Sequence, residues 1–199
     1  FKLLVRKQLS VLALINTGVL IIFLTNSENI IEIIYQRGMF TAEDTNRVSS
    51  IFMVVAFGLI PWSLSQIITR SYYVQKNYWF PVWVGTSITF ATIFILKVLS
   101  NPSGESYSVV IISSLWVNTL VLSLFLKIKN ERVIDRFLIL DFIKTFTIGL
   151  VTYFLSITVE LYTGNPVLEV LFNTFFILIL LLMSLFVVKM KYINLKRTD

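Results

Sequence analysis

The sequence predicts an all-α fold, a polytopic bundle of six membrane-spanning helices with both termini in the cytoplasm. Composition comes first: of 199 residues, 56% are hydrophobic and only 14% charged, whereas a soluble domain carries about a quarter charged residues. Six runs are then apolar enough to cross a hydrocarbon core of about 30 Å, which takes roughly 20 helical residues because every backbone polar group must be satisfied within the segment. Lysine and arginine, finally, crowd onto alternate connections between these runs, as the positive-inside rule requires.

Taken in chain order, the first span covers 9–25. The polar break Asn26, Ser27, Glu28, Asn29 stops it, and a short amphipathic stretch, 30–35, follows at the interface. The second span is 51–69, the third 79–96 and the fourth 109–126; the turn-rich Asn101, Pro102, Ser103, Gly104 separates the last two. The fifth is 137–161 and the sixth 167–188. The turn Thr163-Gly164-Asn165-Pro166 between them is so short that they form an antiparallel hairpin.

Direction follows from the basic residues. Thirteen of the 17 lie on one side: Lys2, Arg6, Lys7, Arg70, Lys76, Lys127, Lys129, Arg132, Arg136, Lys189, Lys191, Lys196 and Arg197. Arg37, Arg47 and Lys97 lie on the other, and Lys144 falls inside the fifth span. Both ends are therefore expected in the cytoplasm. Tyr72, Tyr73, Tyr78, Trp79 and Tyr192 fall near the inner boundary and Tyr35, Tyr107 and Tyr162 near the outer one, where amphipathic rings sit at headgroup level. A secretory signal would share the basic start and first apolar run, but five more spans follow and no small-x-small cleavage site precedes the break. The chain starts at Phe1 rather than Met, which suggests a piece of a longer protein.

With neither Cys nor His, disulfide frameworks, thiol nucleophiles, histidine triads and Cys/His metal sites are all excluded. There is no phosphate-cradling G-x-x-x-x-G-K-[ST] and no G-x-S-x-G, so no enzyme, no cofactor and no metal is expected. The net charge of +6 belongs to helix flanks and not to a nucleic-acid partner.

Function is sought where polar groups enter the bilayer, since each is costly there without a partner or a wet cavity. In the fifth span Asp141, Thr145, Gly149, Thr152, Ser156 and Glu160 recur every three or four residues and share one face. Lys144, three residues after Asp141, is within ion-pair reach. Close helix packing explains such a stripe better than a transport path, which stays open as the alternative. Gly58 and Pro61 in the second span predict a bend, because a proline removes a helical hydrogen bond; in transporters such bends act as hinges. Ser63, Ser65 and Gln66 follow it. Asn118, at mid-depth in the fourth span, needs a bond to a neighbouring helix or to water. After Glu169 and Asn173 the sixth span is almost wholly Leu, Ile, Phe and Val, suited to facing lipid.

The loop Gln36-Arg37-Gly38-Met39-Phe40-Thr41-Ala42-Glu43-Asp44-Thr45 resembles the R-G-x-F-x-x-x-D-T signature of the MurJ/MviN family of lipid II flippases. Its physics is readable: Gly38 can take a left-handed conformation to end the short helix, and Thr41 with Asp44 resembles a capping box. The family pattern R-x-F-Y-A-x-x-D-x-x-T-P is met by Arg70, Tyr72, Tyr73 and Pro81, with Asn77 and Phe80 in place of the usual Asp and Thr. Trp116-Val117-Asn118, a leucine-rich stretch and Lys127 are similar to the family's twelfth helix.

The resemblance implies that 1–132 holds four transmembrane helices like helices nine to twelve of the carboxy-terminal lobe of a fourteen-helix exporter. Residues 133–199 would be a hairpin like helices thirteen and fourteen plus a basic cytoplasmic tail. It implies alternating-access movement of lipid II, an undecaprenyl-pyrophosphate-linked peptidoglycan precursor, across a bacterial inner membrane. The partners implied are a polyprenyl-linked lipid substrate, membrane lipids and the missing amino-terminal half of the same protein. Arg37, Gly38, Phe40 and Asp44 would shape the outer loop; Arg70, Tyr73, Asn118, Asp141 and Lys144 are the transport or lipid-binding candidates; Gly58 and Pro61 are the hinge. Arg70 could bind a lipid phosphate or simply anchor its helix. Two alternatives stay open: export of another polyprenyl-linked glycan, such as an O-antigen or exopolysaccharide unit, and a membrane scaffold that transports nothing.

Overall fold

The computed structural model describes residues 1–99, 103–128, 131–133, 136–158 and 165–195, without the side chains of 128, 131, 132, 136, 137, 181 and 183–195. The elements run α1 (Lys2–Thr25), α2 (Ser27–Tyr35), α3 (Ala42–Ala56), α4 (Leu59–Val74), α5 (Trp79–Val98), α6 (Gly104–Phe125), β1 (Lys127–Ile128), β2 (Glu131–Arg132), α7 (Arg136–Thr158) and α8 (Pro166–Leu195). Among the described residues, five segments are long and apolar enough to cross a membrane: Lys2–Thr25, Ala42–Val74, Trp79–Val98, Gly104–Phe125 and Leu138–Thr158. Five of the six expected runs thus fall on such segments. The sixth run lies on α8, whose described apolar part, Pro166–Leu180, falls short of a full crossing. Glu160, Tyr162, Thr163 and Gly164, Asn101 and Pro102 lie outside the described residues, as do Lys129, Lys196 and Arg197.

The helix ends follow from local chemistry. Asn26 stops α1: its backbone N–H donates to the Ile22 carbonyl at 3.1 Å, and its side-chain amide donates to the same carbonyl and to Thr25 Oγ1 at 2.9 Å each. The expectation that Gly38 ends α2 needs correcting. That helix stops at Tyr35 with Gln36 as its cap, and Gly38, at φ +62°, serves the tight turn beyond, closed by Phe40 N–H donating to Arg37 O. At the start of α3 the capping box is present, with Asp44 N–H donating to Thr41 Oγ1 at 3.3 Å and Thr41 N–H donating to Asp44 Oδ2 at 2.9 Å.

The bend foreseen at Gly58 and Pro61 takes the form of an interruption between α3 and α4. Phe57 and Gly58 N–H groups donate three residues back, to Val54 and Val55 carbonyls, and Pro61 has no N–H to offer the Phe57 carbonyl. Gly58 sits at a close approach: a Cβ there would lie 2.5 Å from Ile112 Cδ1 on α6, a side chain that would have to turn aside.

Beyond α4 the chain turns through Lys76, a non-glycine residue in the left-handed region at φ +59°. Asn77 N–H donates to Tyr72 O and Lys76 N–H to Tyr73 O, the crossed pair of a Schellman motif. Glycine usually takes the position held by Lys76.

Packing centres on α1, which lies against α3, α4, α7 and α8, while α6 joins α4 to α5. The main apolar core forms at one end of the bundle, where Val5 and Leu9 of α1 meet Leu64, Ile68 and Tyr72 of α4, Leu122 and Leu126 beside α6, Val133, and Leu138 of α7. A two-residue antiparallel ribbon, Lys127 opposite Arg132 and Ile128 opposite Glu131, carries the chain from α6 to α7 at this end. Arg6 Nε donates to Val133 O at 3.0 Å and ties it to α1. Tyr72 was expected at the headgroup belt; it is instead 4% exposed, its hydroxyl donating to Leu122 O at 2.8 Å. A smaller cluster joins Ile21 of α1 to Ile177 of α8.

Two stability tests follow from these contacts. Lys76→Gly relieves the left-handed lysine and should stabilise the protein by about 1 kcal/mol, read by detergent-denaturation titration followed by circular dichroism. Gly149→Ala on α7 would place a methyl 2.5 Å from Thr17 Cγ2 on α1 and should cost about 1–3 kcal/mol. Adding Thr17→Ser, which removes that methyl, should recover most of the loss in the same titration.

Candidate functional site

Most hydroxyls inside the bundle bond carbonyls of their own helix, and a smaller set of polar groups joins helices. Asn16 of α1 donates to Ser63 Oγ of α4 at 2.6 Å. Ser10 of α1 donates to Asp141 Oδ2 of α7 at 3.4 Å, and the Lys144 ammonium stands 3.9 Å from Asp141 Oδ1 with its side chain 56% exposed. At the other end of α1, Asn173 of α8 donates to Asn26 Oδ1 at 3.1 Å, and Asn29 of α2 donates to Glu169 Oε2 of α8, also at 3.1 Å. The α7 stripe accordingly faces protein. Gly149 meets Thr17 and Ile21 of α1, and Thr152 and Ser156 are buried. Thr145 and Ser156 hydroxyls turn back onto their own helix, to Asp141 O and Tyr153 O.

The α3–α4 interruption is where polar chemistry is left over. The Thr119 hydroxyl of α6 lies 2.9 Å from the carbonyl of Pro61 and 2.9 Å from Leu115 O of its own helix, sharing one proton between them. Its neighbour Asn118 differs. Among the described residues its Oδ1 is the buried side-chain atom left without a hydrogen-bond partner. The interhelical bond foreseen for Asn118 is thus made by Thr119, and Asn118 is left with an acceptor buried at some cost.

The remaining sequence candidates sit at two other places. Arg37 is exposed and donates to Ile33 O at 3.3 Å; Phe40 packs against Tyr35, ring centroids 6.0 Å apart; Asp44 is engaged in the capping box. Arg70 is exposed near the end of α4, and Tyr73, one turn on, stacks near Tyr78 at 5.8 Å. The structure brings Gly58 and Pro61 against Ile112 and Thr119 of α6, with Asn118 next to Thr119 in the chain, and Arg70 and Tyr73 to one corner. Asp141 and Lys144 lie apart from both, against α1. Among the described residues, no three of Asp, Glu, His or Cys converge on a point that could hold a metal.

Sequence reasoning passed over Asn16, Asn26, Thr119 and Asn173 as helix-joining groups. An asparagine inside an apolar run was a visible signal at position 16, but which helix it faces depends on packing.

The family model for the lipid II flippase MurJ matches residues 1–186. The chain belongs to the MurJ lipid II flippase family. No curated protein sequence matches it. A solved structure described as "Lipid II flippase MurJ, inward closed conformation" superposes with a TM-score of 0.80 at 19% identity, covering 95% of this chain and 39% of that one. The chain therefore spans well under half the length of the solved protein it matches. It shares that fold, and family and apolar helices together make it a multi-pass membrane protein of a transporter family.

Thr119→Val keeps the side-chain shape and removes the bond to Pro61. It should cost about 1 kcal/mol or less, the usual worth of one hydrogen bond between membrane helices. Thermal unfolding in detergent, compared with Thr119→Ser, which keeps the hydroxyl, reads this directly.

Proposed function

We propose that this chain acts as the carboxy-terminal lobe of a lipid II flippase, carrying the undecaprenyl-pyrophosphate-linked precursor from the inner to the outer leaflet of a bacterial inner membrane by alternating access. The observation that carries this reading is the family match over residues 1–186. In this reading the chain crosses the membrane six times with both termini cytoplasmic, as the lopsided basic residues support. Residues 1–132 contribute four helices, and 133–199 a hairpin with a basic tail. The rest of the cavity comes from an amino-terminal half that completes the wall, in keeping with the 39% coverage of the solved relative.

The mechanical part of the proposal lies at the α3–α4 interruption. Helix halves joined through Gly58 and Pro61 can change their mutual angle with few hydrogen bonds at stake, because the Phe57 carbonyl has no proline N–H to lose. Asn118, next to Thr119 on α6, holds an unused acceptor, which a donor reaches in a second arrangement of the lobe. Arg37, Gly38, Phe40 and Asp44 fix the outer loop. Asp141 and Lys144 hold α7 to α1 and to the headgroups instead of contacting cargo. The chain performs no bond chemistry.

The test is growth of cells depleted of their own flippase and supplied with the gene for the full-length protein. Restored growth and precursor translocation are expected. Asn118→Leu should leave stability unchanged or slightly raised, since it removes an unsatisfied buried acceptor, yet abolish rescue. Failure of the unaltered protein to rescue, with normal membrane insertion, overturns the reading.

A further inference from the structure

The corner between α4 and α5 carries a set of features that helix packing does not use. Arg70 and Lys76 are both exposed, and among the described residues neither side chain makes an ion pair. No acidic residue occurs in the sequence between Asp44 and Glu105. Lys76 is also held in the left-handed region, where glycine would be at ease. A costly backbone conformation therefore carries a lysine at the tip of the corner.

Exposed aromatic residues flank these cations in the chain. Tyr73, Tyr78 and Trp79 are 44%, 52% and 71% exposed, and the two tyrosine rings lie 5.8 Å apart. From Trp79 an apolar stripe runs along α5: Trp83, Phe90 and Phe94 follow at four, eleven and fifteen residues, positions that fall within one narrow face of a helix. All three are exposed. The stripe is about 22 Å long at 1.5 Å per residue, longer than one leaflet of a core about 30 Å thick. A free anion in water would have no use for it.

We propose that this corner is a binding site for an anionic phospholipid, with the headgroup phosphate between Arg70 and Lys76 and an acyl chain along the Trp79, Trp83, Phe90 and Phe94 stripe. Two unpaired cations at a membrane surface attract an anionic headgroup. Exposed tyrosine and tryptophan hold the same depth, and the four rings give the tail an apolar path along α5 broken at Thr86. The site does not depend on what the protein transports, so its test reads lipid binding and not flipping.

The test uses the full chain in lipid vesicles, with Trp83 kept as the fluorescent reporter and Trp62, Trp79 and Trp116 replaced by Phe. Quenching by acyl-brominated phosphatidylglycerol is compared with quenching by brominated phosphatidylcholine. Phosphatidylglycerol should be favoured on the order of tenfold or more, at about fivefold per cation. Arg70→Gln with Lys76→Gln should bring the ratio close to one, Lys76→Arg should keep it, and circular dichroism should show unchanged helix content. Arg37→Gln with Arg47→Gln, outside the corner, should also keep it, and inorganic phosphate should not displace the lipid. The proposal is overturned by an equal response to the two lipids, by no quenching from either, which would mean protein covers the stripe, or by a preference that survives the double corner variant. Loss of the preference in the Arg37/Arg47 control or on adding phosphate overturns it too, as does displacement of phosphatidylglycerol by equimolar undecaprenyl pyrophosphate, which would make the corner a cargo site.

Discussion

Helices immersed in lipid gain little from burying apolar side chains against one another, so their association rests on close packing and on hydrogen bonds between them. In this chain those contacts concentrate on α1. Arg6, Ser10, Asn16, Thr17 and Asn26 meet, in order, the Val133 carbonyl, Asp141, Ser63, Gly149 and Asn173. One helix thus sets the placement of α4, α7 and α8. By contrast α5 depends on α6, partly through the Phe80 and Phe125 rings 5.7 Å apart, and leaves most of its surface free.

The same constraint explains the two-part segment from Ala42 to Val74. An unbroken helix of that length would need no help from neighbours. The interrupted one brings Gly58 against Ile112 and offers the Pro61 carbonyl to Thr119, so the break is held by α6 instead of by its own ladder. Breaks at membrane depth are tolerated where surrounding protein re-satisfies the backbone. Asn118, next to Thr119 in the chain, keeps a buried unpaired Oδ1, and it is the residue on which the proposed function leans most.

Much of this was legible in the residues themselves, for physical reasons that can be named. Apolar run length determines a membrane helix almost regardless of context, so α1, α5, α6 and α7 were readable. Short-range chemistry was readable as well, in the Thr41 and Asp44 capping box, the positive φ of Gly38 and the break beside Pro61. Partner choice was not. Nothing local distinguishes Tyr72, buried with its hydroxyl on Leu122 O, from Tyr73, exposed one residue later; the difference is which side of α4 meets α6. Lys76 was hidden because the left-handed position at a helix end usually announces itself by glycine. Asn118 stood out among the polar residues of its span, but the packing of α4 on α6 gives the bond to Thr119.

The placement of α1 at the middle of the bundle has a consequence for biosynthesis. Its asparagine at 16 finds Ser63 47 residues later, but Ser10 waits 131 residues for Asp141 and Asn26 waits 147 for Asn173. Synthesis runs from the amino end, so α1 leaves the ribosome ahead of α4, α7 and α8 and finds its last partners only when α8 follows. Until α7 and α8 emerge, its polar side chains must be shielded by the insertion machinery or by helices that leave again.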